Sequence, residues 1–360
     1  MKAVNLLFFP KYTRTGASSR YRSFQYLPAL EAAGLKSSVS PLFDDAYLAH
    51  KYAQGHASVG NVLRAFARRI WSVLSVPRNA VIVIEYELLP WFPAVLEHWL
   101  AWRGCRMVMD YDDAIFHLYD AHPNPWVRRL IGHKIATVMR LAHTVVAGNP
   151  YLADYARRAG AQRVEVIPTV IDLVRYPMTE RGSGSEPYTI GWIGSPSTAP
   201  YLCHIAPALA EVCKNRQVKL RVVGSGQIDL PGVPAEWIPW NETTEVDEIR
   251  GFDVGIMPLP DEPWTRGKCG FKLIQYMACG LPVVASPVGV NSEIVEEGVN
   301  GFFAKTAEEW TEALRILKCN AVLRQQMGEA GRRKVEQQYA LQVTGPRLVA
   351  LIQSIIQAEK

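Results

Sequence analysis

No two of the six cysteines (Cys105, Cys203, Cys213, Cys269, Cys279 and Cys319) have the two-residue spacing of a metal knuckle or a redox motif. They read as reduced, mostly buried thiols of a cytoplasmic protein. No uninterrupted apolar stretch is long enough to span a bilayer. The N-terminal MKAVNLLFFP has one lysine and an apolar run too short for a signal peptide, and reads better as a first strand. Strong charge is missing too. A net +5 over 360 residues fits an anionic ligand or membrane headgroups and gives no argument for nucleic acid. A GxGxxG fingerprint is also absent, which leaves little for a dinucleotide reading. With 49% hydrophobic and 20% charged residues the chain has the composition of a folded globular protein. Its length exceeds one typical core, so two domains are expected.

Strand-like and helix-like stretches alternate from the start, which predicts parallel α/β sheets. In the first half, strands are expected at Val4 to Phe9, Lys36 to Val39, Ala80 to Ile84, Arg106 to Met109, Thr144 to Ala147 and Val164 to Ile167. Two helices are expected between residues 42 and 78, one from Ala94 to Trp102, and one from Asn124 to about Leu141. MTERGSGSEPY, with Gly182, Ser183, Gly184 and Ser185, is the clearest linker. It separates an N-terminal domain (1–180) from a C-terminal one (188–338), with 181–187 between them. In the second half, strands are expected at Thr189 to Ile193, Val218 to Val223, near Trp237, Val254 to Met257 and Val283 to Ser286, and three helical stretches close the chain.

The densest chemistry lies in Arg266 to Asn300, RGKCGFKLIQYMACGLPVVASPVGVNSEIVEEGVN. Lys268 and Lys272 are four apart, the spacing that puts both on one helix face. Phe271, Leu273, Ile274 and Met277 give that helix an apolar side, and Gly280 stops it. Two readings stand. Backbone amides and two ammonium groups beside a strand end seat a diphosphate, or an amphipathic helix carries two solvated lysines. Gly191 and Gly194 flank Trp192 at another strand end, a loop suited to close approach of a phosphate or sugar, while Gly224 with Gly226 reads as a turn.

In the first half, Gly16, Ser18, Ser19, Arg20 and Arg22 form a donor-rich loop at the carboxyl end of the first strand, where open α/β sheets collect ligands. A tight turn with a serine-capped helix and surface arginines explains the same residues. Glu85 and Glu87 follow the third strand. DYDDAIFH brings Asp110, Asp112, Asp113 and His117 to the end of the fourth. Repulsion between such carboxylates raises at least one pKa and permits proton exchange with a hydroxyl. A metal-binding DxD, or an aspartate capping a helix, are the alternatives. Farther back, Arg64, Arg68 and Arg69 stand beside Phe66, Ile70, Trp71 and Leu74. Contact with a membrane surface competes there with the plainer reading of a helix packed on the sheet with a solvated basic face.

GKCGFKLIQYMACGLPVVAS, followed by GVNSEIVEEGVNGFF, resembles the donor-side signature of family 4 glycosyltransferases of the GT-B fold. VVAGNPYLADY, VIPTVIDLVRYP (with Thr169 where that family usually has Asn) and RVVGSGQ resemble further segments of it. The likeness is tight over 188–305 and looser before. It implies an α/β protein of two Rossmann-like domains whose parallel sheets face a central cleft, and a final helix (339–360) that crosses back to the first domain. It also implies a nucleotide-sugar donor held mainly by the C-terminal domain, a glycan or lipid-linked acceptor on the N-terminal one, transfer with retention, no cofactor and no required metal. On this reading Gly194, Ser195, Arg266, Lys268, Lys272 and Gln275 hold the donor, and Lys272 neutralises the leaving group. Gly16, Ser18, Ser19, Arg20, Arg22 and Glu87 line the acceptor side, with Asp112 or Asp113 orienting the nucleophilic hydroxyl.

The chain also departs from that pattern. The family's two glutamates, with seven residues between them, are replaced by Gly267 and Gln275. Gln275 retains a hydrogen bond to a ribose hydroxyl, whereas Gly267 removes the contact to the donor sugar. GSPSTAPYL lacks the usual cation for the diphosphate, and DYDD stands about where the family has a histidine. Three other readings follow: a sugar-nucleotide epimerase, a nucleotide- or glycan-binding protein without transferase activity, and a metal-dependent transferase using DYDD. The family and the basic helices together imply bacterial surface polysaccharide synthesis by a cytoplasmic protein in peripheral contact with the inner face of the membrane.

Overall fold

The computed structural model describes residues 6–54, 57–178, 187–214 and 217–357, the side chains of 51–54 excepted. The chain divides into two compact units, one running to Thr169 and resuming at Thr344, the other Val170–Val343. The linker expected at 181–187 lies, apart from residue 187, outside the described residues.

The first unit runs β1 (Leu6–Phe9), α1 (Ala17–Arg22), α2 (Leu27–Ala32), β2 (Ser37–Val39), α3 (Asp45–Gln54), α4 (Val59–Leu74), β3 (Val81–Glu85) and α5 (Val95–Trp102). It continues through β4 (Arg106–Tyr111), α6 (His117–Asp120), α7 (Pro125–Ile131), α8 (Lys134–Leu141), β5 (Thr144–Ala147), α9 (Pro150–Arg158) and β6 (Val164–Val166). The strands form one parallel sheet in the order β2-β1-β3-β4-β5-β6. β3 is buried along its whole length, as a strand covered on both faces must be. The order reverses between β1 and β3, which opens a crevice at their carboxyl ends.

Two expectations change here. The single helix foreseen from Asn124 to Leu141 is α7 and α8, interrupted where His133 leaves helical geometry at φ −95° and ψ 7°. α4 buries Ala65, Arg69 and Val73 and leaves Ile70, Trp71 and Leu74 exposed, so much of the apolar side assigned to the core faces out.

The second unit runs β7 (Tyr188–Ile193), α10 (Ala206–Cys213), β8 (Val218–Val223), β9 (Ala235–Ile238), α11 (Glu245–Arg250), β10 (Val254–Met257) and α12 (Pro263–Arg266). It continues through α13 (Phe271–Ala278), β11 (Val283–Ala285), α14 (Asn291–Ile294), β12 (Gly301–Phe303), α15 (Ala307–Cys319) and α16 (Ala321–Gln338). Its parallel sheet has the order β12-β11-β10-β7-β8-β9, reversing between β7 and β10. β12 was not foreseen, because three residues are too few to show a period. Gly191 and Gly255 sit side by side in this sheet, and a Cβ on either would enter the ring of Phe252 or Tyr276. Their bareness lets both rings pack against the sheet, and the Tyr276 hydroxyl then accepts the Ile193 N–H at 3.0 Å.

The last helix, α17 (Leu341–Gln357), belongs from Thr344 onward to the first unit. There Tyr26 Oη and Thr344 Oγ1 are 3.2 Å apart, and Arg347 donates to Val166 O at 2.9 Å.

Candidate functional site

In the second unit the carboxyl ends of β7 and β10 frame a recess of about 250 Å³, at the point where the strand order reverses. Trp192, Thr198, Tyr201, Pro258, Lys268 and Lys272 are among its walls. The two lysines do not share a helix face as their spacing suggested. α13 starts only at Phe271, and Lys268 lies in the turn that leaves α12. That turn reaches α13 through Gly270, whose φ of +64° suits glycine, and it still brings both lysines into one wall. Lys272 Nζ is 5.2 Å from the Trp192 ring centroid and Lys268 Nζ 5.0 Å from that of Trp264. Aromatic faces attract these cations without cancelling their charge.

Gly194 lies against two of these wall residues, Trp192 and Lys272. Its N–H donates to Val223 O, and a Cβ there would lie 2.4 Å from Trp192 Cη2 and 2.8 Å from Lys272 Cε. Ser195 follows, its Oγ 2.8 Å from Ser197 Oγ. Arg266 and Gln275, also expected to hold the donor, are engaged within the unit. Arg266 pairs with Asp261, Nε to Oδ1 at 2.7 Å. Gln275 is buried, and its Nε2 donates to Tyr176 Oη at 2.9 Å. Tyr176 in turn donates to Glu245, which also takes the Trp240 indole N–H.

In the first unit a second cluster lies at the ends of β1, β3 and β4. Glu85 is buried, with the Lys11 N–H at 2.9 Å and Ser19 Oγ at 2.5 Å on its Oε2, and burial raises its pKa. Ser18 hydrogen-bonds the same carboxylate, so both serines face Glu85 and the N-cap of α1 is Gly16. Arg22 is buried and grips Asp110 with two bonds, Nε to Oδ2 at 2.8 Å and Nη2 to Oδ1 at 2.5 Å, while its Nη1 donates to Ile167 O. Arg20 is buried beside the Tyr21 ring. Glu87 is buried against Lys134 and the Tyr119 hydroxyl. Both arginines expected at the surface are therefore interior, and Arg22 braces Asp110, since a carboxylate this deep needs a partner.

Asp112 and Asp113 remain half-buried at this edge. Burial, and then the neighbouring Asp113, push the Asp112 carboxyl up to about 7. The Tyr86 hydroxyl donates to Asp112, from a backbone held at φ +63°, a left-handed conformation that costs a tyrosine energy. Lys11 Nζ lies 5.4 Å from the Tyr86 ring centroid. A carboxyl titrating near neutrality and oriented by a fixed hydroxyl is suited to exchanging a proton with an alcohol. His117 is held by Asp120 and Tyr151. Sequence reasoning missed Tyr86 and Lys11, for which no pattern existed. It also missed Tyr201 and the role of Trp192, although the glycines around Trp192 marked the place. Among the described residues, no group of three His, Cys, Asp or Glu side chains is placed to hold a metal ion.

A family model described as "Glycosyl transferases group 1" matches residues 187–320, the segment that builds the recess. A curated relative, spore coat protein SA of Bacillus subtilis, is 31% identical over 78 residues, which is 21% of this chain and 21% of that protein. Among solved structures, sucrose-phosphate synthase from Thermosynechococcus elongatus superposes with a TM-score of 0.71 at 15% identity, over 99% of this chain and all of the other. HepE of Anabaena in complex with UDP-glucose gives 0.69 at 17% identity over 97% and 99% of the two chains. The alpha,alpha-trehalose 6-phosphate synthase of Burkholderia multivorans gives 0.64 at 13% over 99% and 100%. At such identities the likeness is one of fold, and the fold is GT-B.

Proposed function

We propose that the protein is a glycosyltransferase that moves a sugar from a nucleoside-diphosphate sugar to a hydroxyl of a glycan or lipid-linked acceptor, with retention of configuration. One observation carries this reading: the recess at the β7–β10 switch point joins two ammonium groups to a bare glycine turn, within the segment matched by the glycosyl transferase model. Lys268 and Lys272 receive the diphosphate, each worth about 1.5–3 kcal/mol as a charge-assisted donor. They also hold the charge that builds as the glycosidic bond breaks. In this role the lysines serve in place of a divalent cation, so turnover is expected to persist in chelator. The departing phosphate takes the proton of the acceptor hydroxyl on the face that it leaves. HepE was solved with UDP and with UDP-glucose, which makes uridine diphosphate the first donor nucleotide to try. The setting we favour is surface polysaccharide synthesis in the bacterial cytoplasm.

A second reading, a nucleotide-binding protein without transferase activity, is favoured by Gly267 and by the engagement of Gln275 with Tyr176. A thermal-shift panel of UDP, GDP, dTDP and CMP separates the two when followed by nucleotide-sugar turnover with and without chelator. A ligand at a hundred times its Kd adds about 2.7 kcal/mol, a shift of several degrees. Stabilisation by one diphosphate, with acceptor-dependent release of that diphosphate in chelator, supports transfer. Stabilisation without release supports the binding protein, and no response to any nucleotide overturns both.

A further inference from the structure

The outer side of α4 and α5 carries an apolar surface that no core covers. On α4, Val59, Leu63, Ile70, Trp71 and Leu74 fall on one side, opposite the buried Ala65, and all are exposed, Leu63 by 63% and Trp71 by 75%. α5 repeats the arrangement with Val95 and Trp102 two turns apart, Trp102 exposed by 76%, and the half-buried Trp99 between them. The two helices lie side by side. Leu96 packs into the cluster that holds Val62, Ala65 and Phe66, and Arg103 Nη2 donates to Val76 O at 2.7 Å. The crossovers β2 to β3 and β3 to β4 advance the same way across the sheet, and right-handed crossovers place both helices on one of its faces. Their outward stripes therefore make one surface.

The charge on that surface has one sign. Arg64 and Arg68 on α4, and Arg78 just beyond it, are exposed. α4 has no carboxylate, and the carboxylate of α5, Glu97, is buried with the Leu88 N–H on its Oε1. Asp44 stands 3.5 Å from Arg68 as the counter-charge on the flank. Arg69 turns inward and donates to Pro10 O. Tryptophan and leucine amid arginines match an interface with acyl chains below and phosphates above. A second copy of this face is a poorer partner, because a symmetric contact would set arginine against arginine.

We infer that the α4–α5 face docks on an anionic lipid bilayer, lying in its headgroup layer. No described helix is long and apolar enough to cross a membrane, so the contact is one of surface. Docking needs no turnover, and it stands or falls apart from the proposed transfer.

The test is flotation of the full chain with phosphatidylcholine vesicles and with vesicles that also contain phosphatidylglycerol, at low and high salt. The wild type is expected to bind only the anionic vesicles and to be released by salt. Each interfacial arginine contributes roughly fivefold, so Arg64→Gln with Arg78→Gln weakens binding about thirtyfold. Trp71→Ser with Trp102→Ser abolishes it, while circular dichroism and the melting temperature hold. Absence of wild-type binding to anionic vesicles at low salt overturns the inference, as does wild-type binding by both variants. A dimer in sedimentation that Trp71→Ser with Trp102→Ser turns into a monomer also overturns it, since the face then serves self-contact.

Discussion

Replacing Lys272 by methionine separates charge from packing in the recess. The ammonium of Lys272 lies 5.2 Å from the centroid of the Trp192 ring, and the side chain is half-buried on the first turn of α13. Methionine is unbranched and of similar length, so it continues to cover that ring. The fold loses a cation–π contact of about 0.5–1 kcal/mol, part of which a sulfur–aromatic contact returns. The melting temperature should therefore move by no more than a few degrees. The diphosphate loses a charge-assisted donor worth about 1.5–3 kcal/mol, which is about ten- to 150-fold in Kd. Calorimetric titration at fixed ionic strength with a nucleoside diphosphate and with the matching nucleoside reads this directly. Diphosphate affinity should fall by that factor while nucleoside affinity stays constant. Unchanged diphosphate affinity would refute the assignment. An equal loss for the nucleoside would refute it too, since Lys272 would then shape the pocket and not bind phosphate.

Gly194→Ala would drive a methyl group into the space 2.4 Å from Trp192 and 2.8 Å from Lys272, and because Trp192 is fully buried the lysine must give way. Nucleotide affinity should drop about tenfold or more, the size of one lost charged bond, and a titration matching wild type would show that the recess is not the site. Arg22→Leu leaves Asp110 buried without its ion pair and should cost about 3–5 kcal/mol in denaturant unfolding; a loss below about 1 kcal/mol would show that the pair is solvated or replaced. Asp112, held up to about 7 from an ordinary 3.8, binds its proton more tightly folded than unfolded. Its stabilising contribution is thus present below the ordinary value and is lost as pH rises through about 7, and Asp112→Asn should flatten the melting temperature between those limits. An unchanged slope in the variant would assign the titration elsewhere.

Much of the fold was legible. The apolar run Val81–Ile84, bounded by turn residues, reads as a strand covered on both faces, and alternation of such runs with helices favours parallel pairing. Edge pieces were not legible: Gly301–Phe303 has no period to read, and the break between α7 and α8 falls at His133, a residue that fits a helix as well as a turn. At the site, the lysines and Gly194 could be singled out because glycine and cation at a strand end have few other uses. The partners of Ser19, Arg22, Glu87 and Gln275 could not, because each meets a residue distant in the chain.

The order of residues by itself determined two parallel sheets and the placement of chemistry at strand ends, since these follow from local period and composition. Only the tertiary structure decided which polar groups are buried among partners and which side of a helix faces out. A serine–arginine loop became a set of braces for Glu85 and Asp110, and the apolar stripe of α4 turned outward. Burial is set by what lies opposite a side chain, and that is a property of the whole packing that no window of sequence contains.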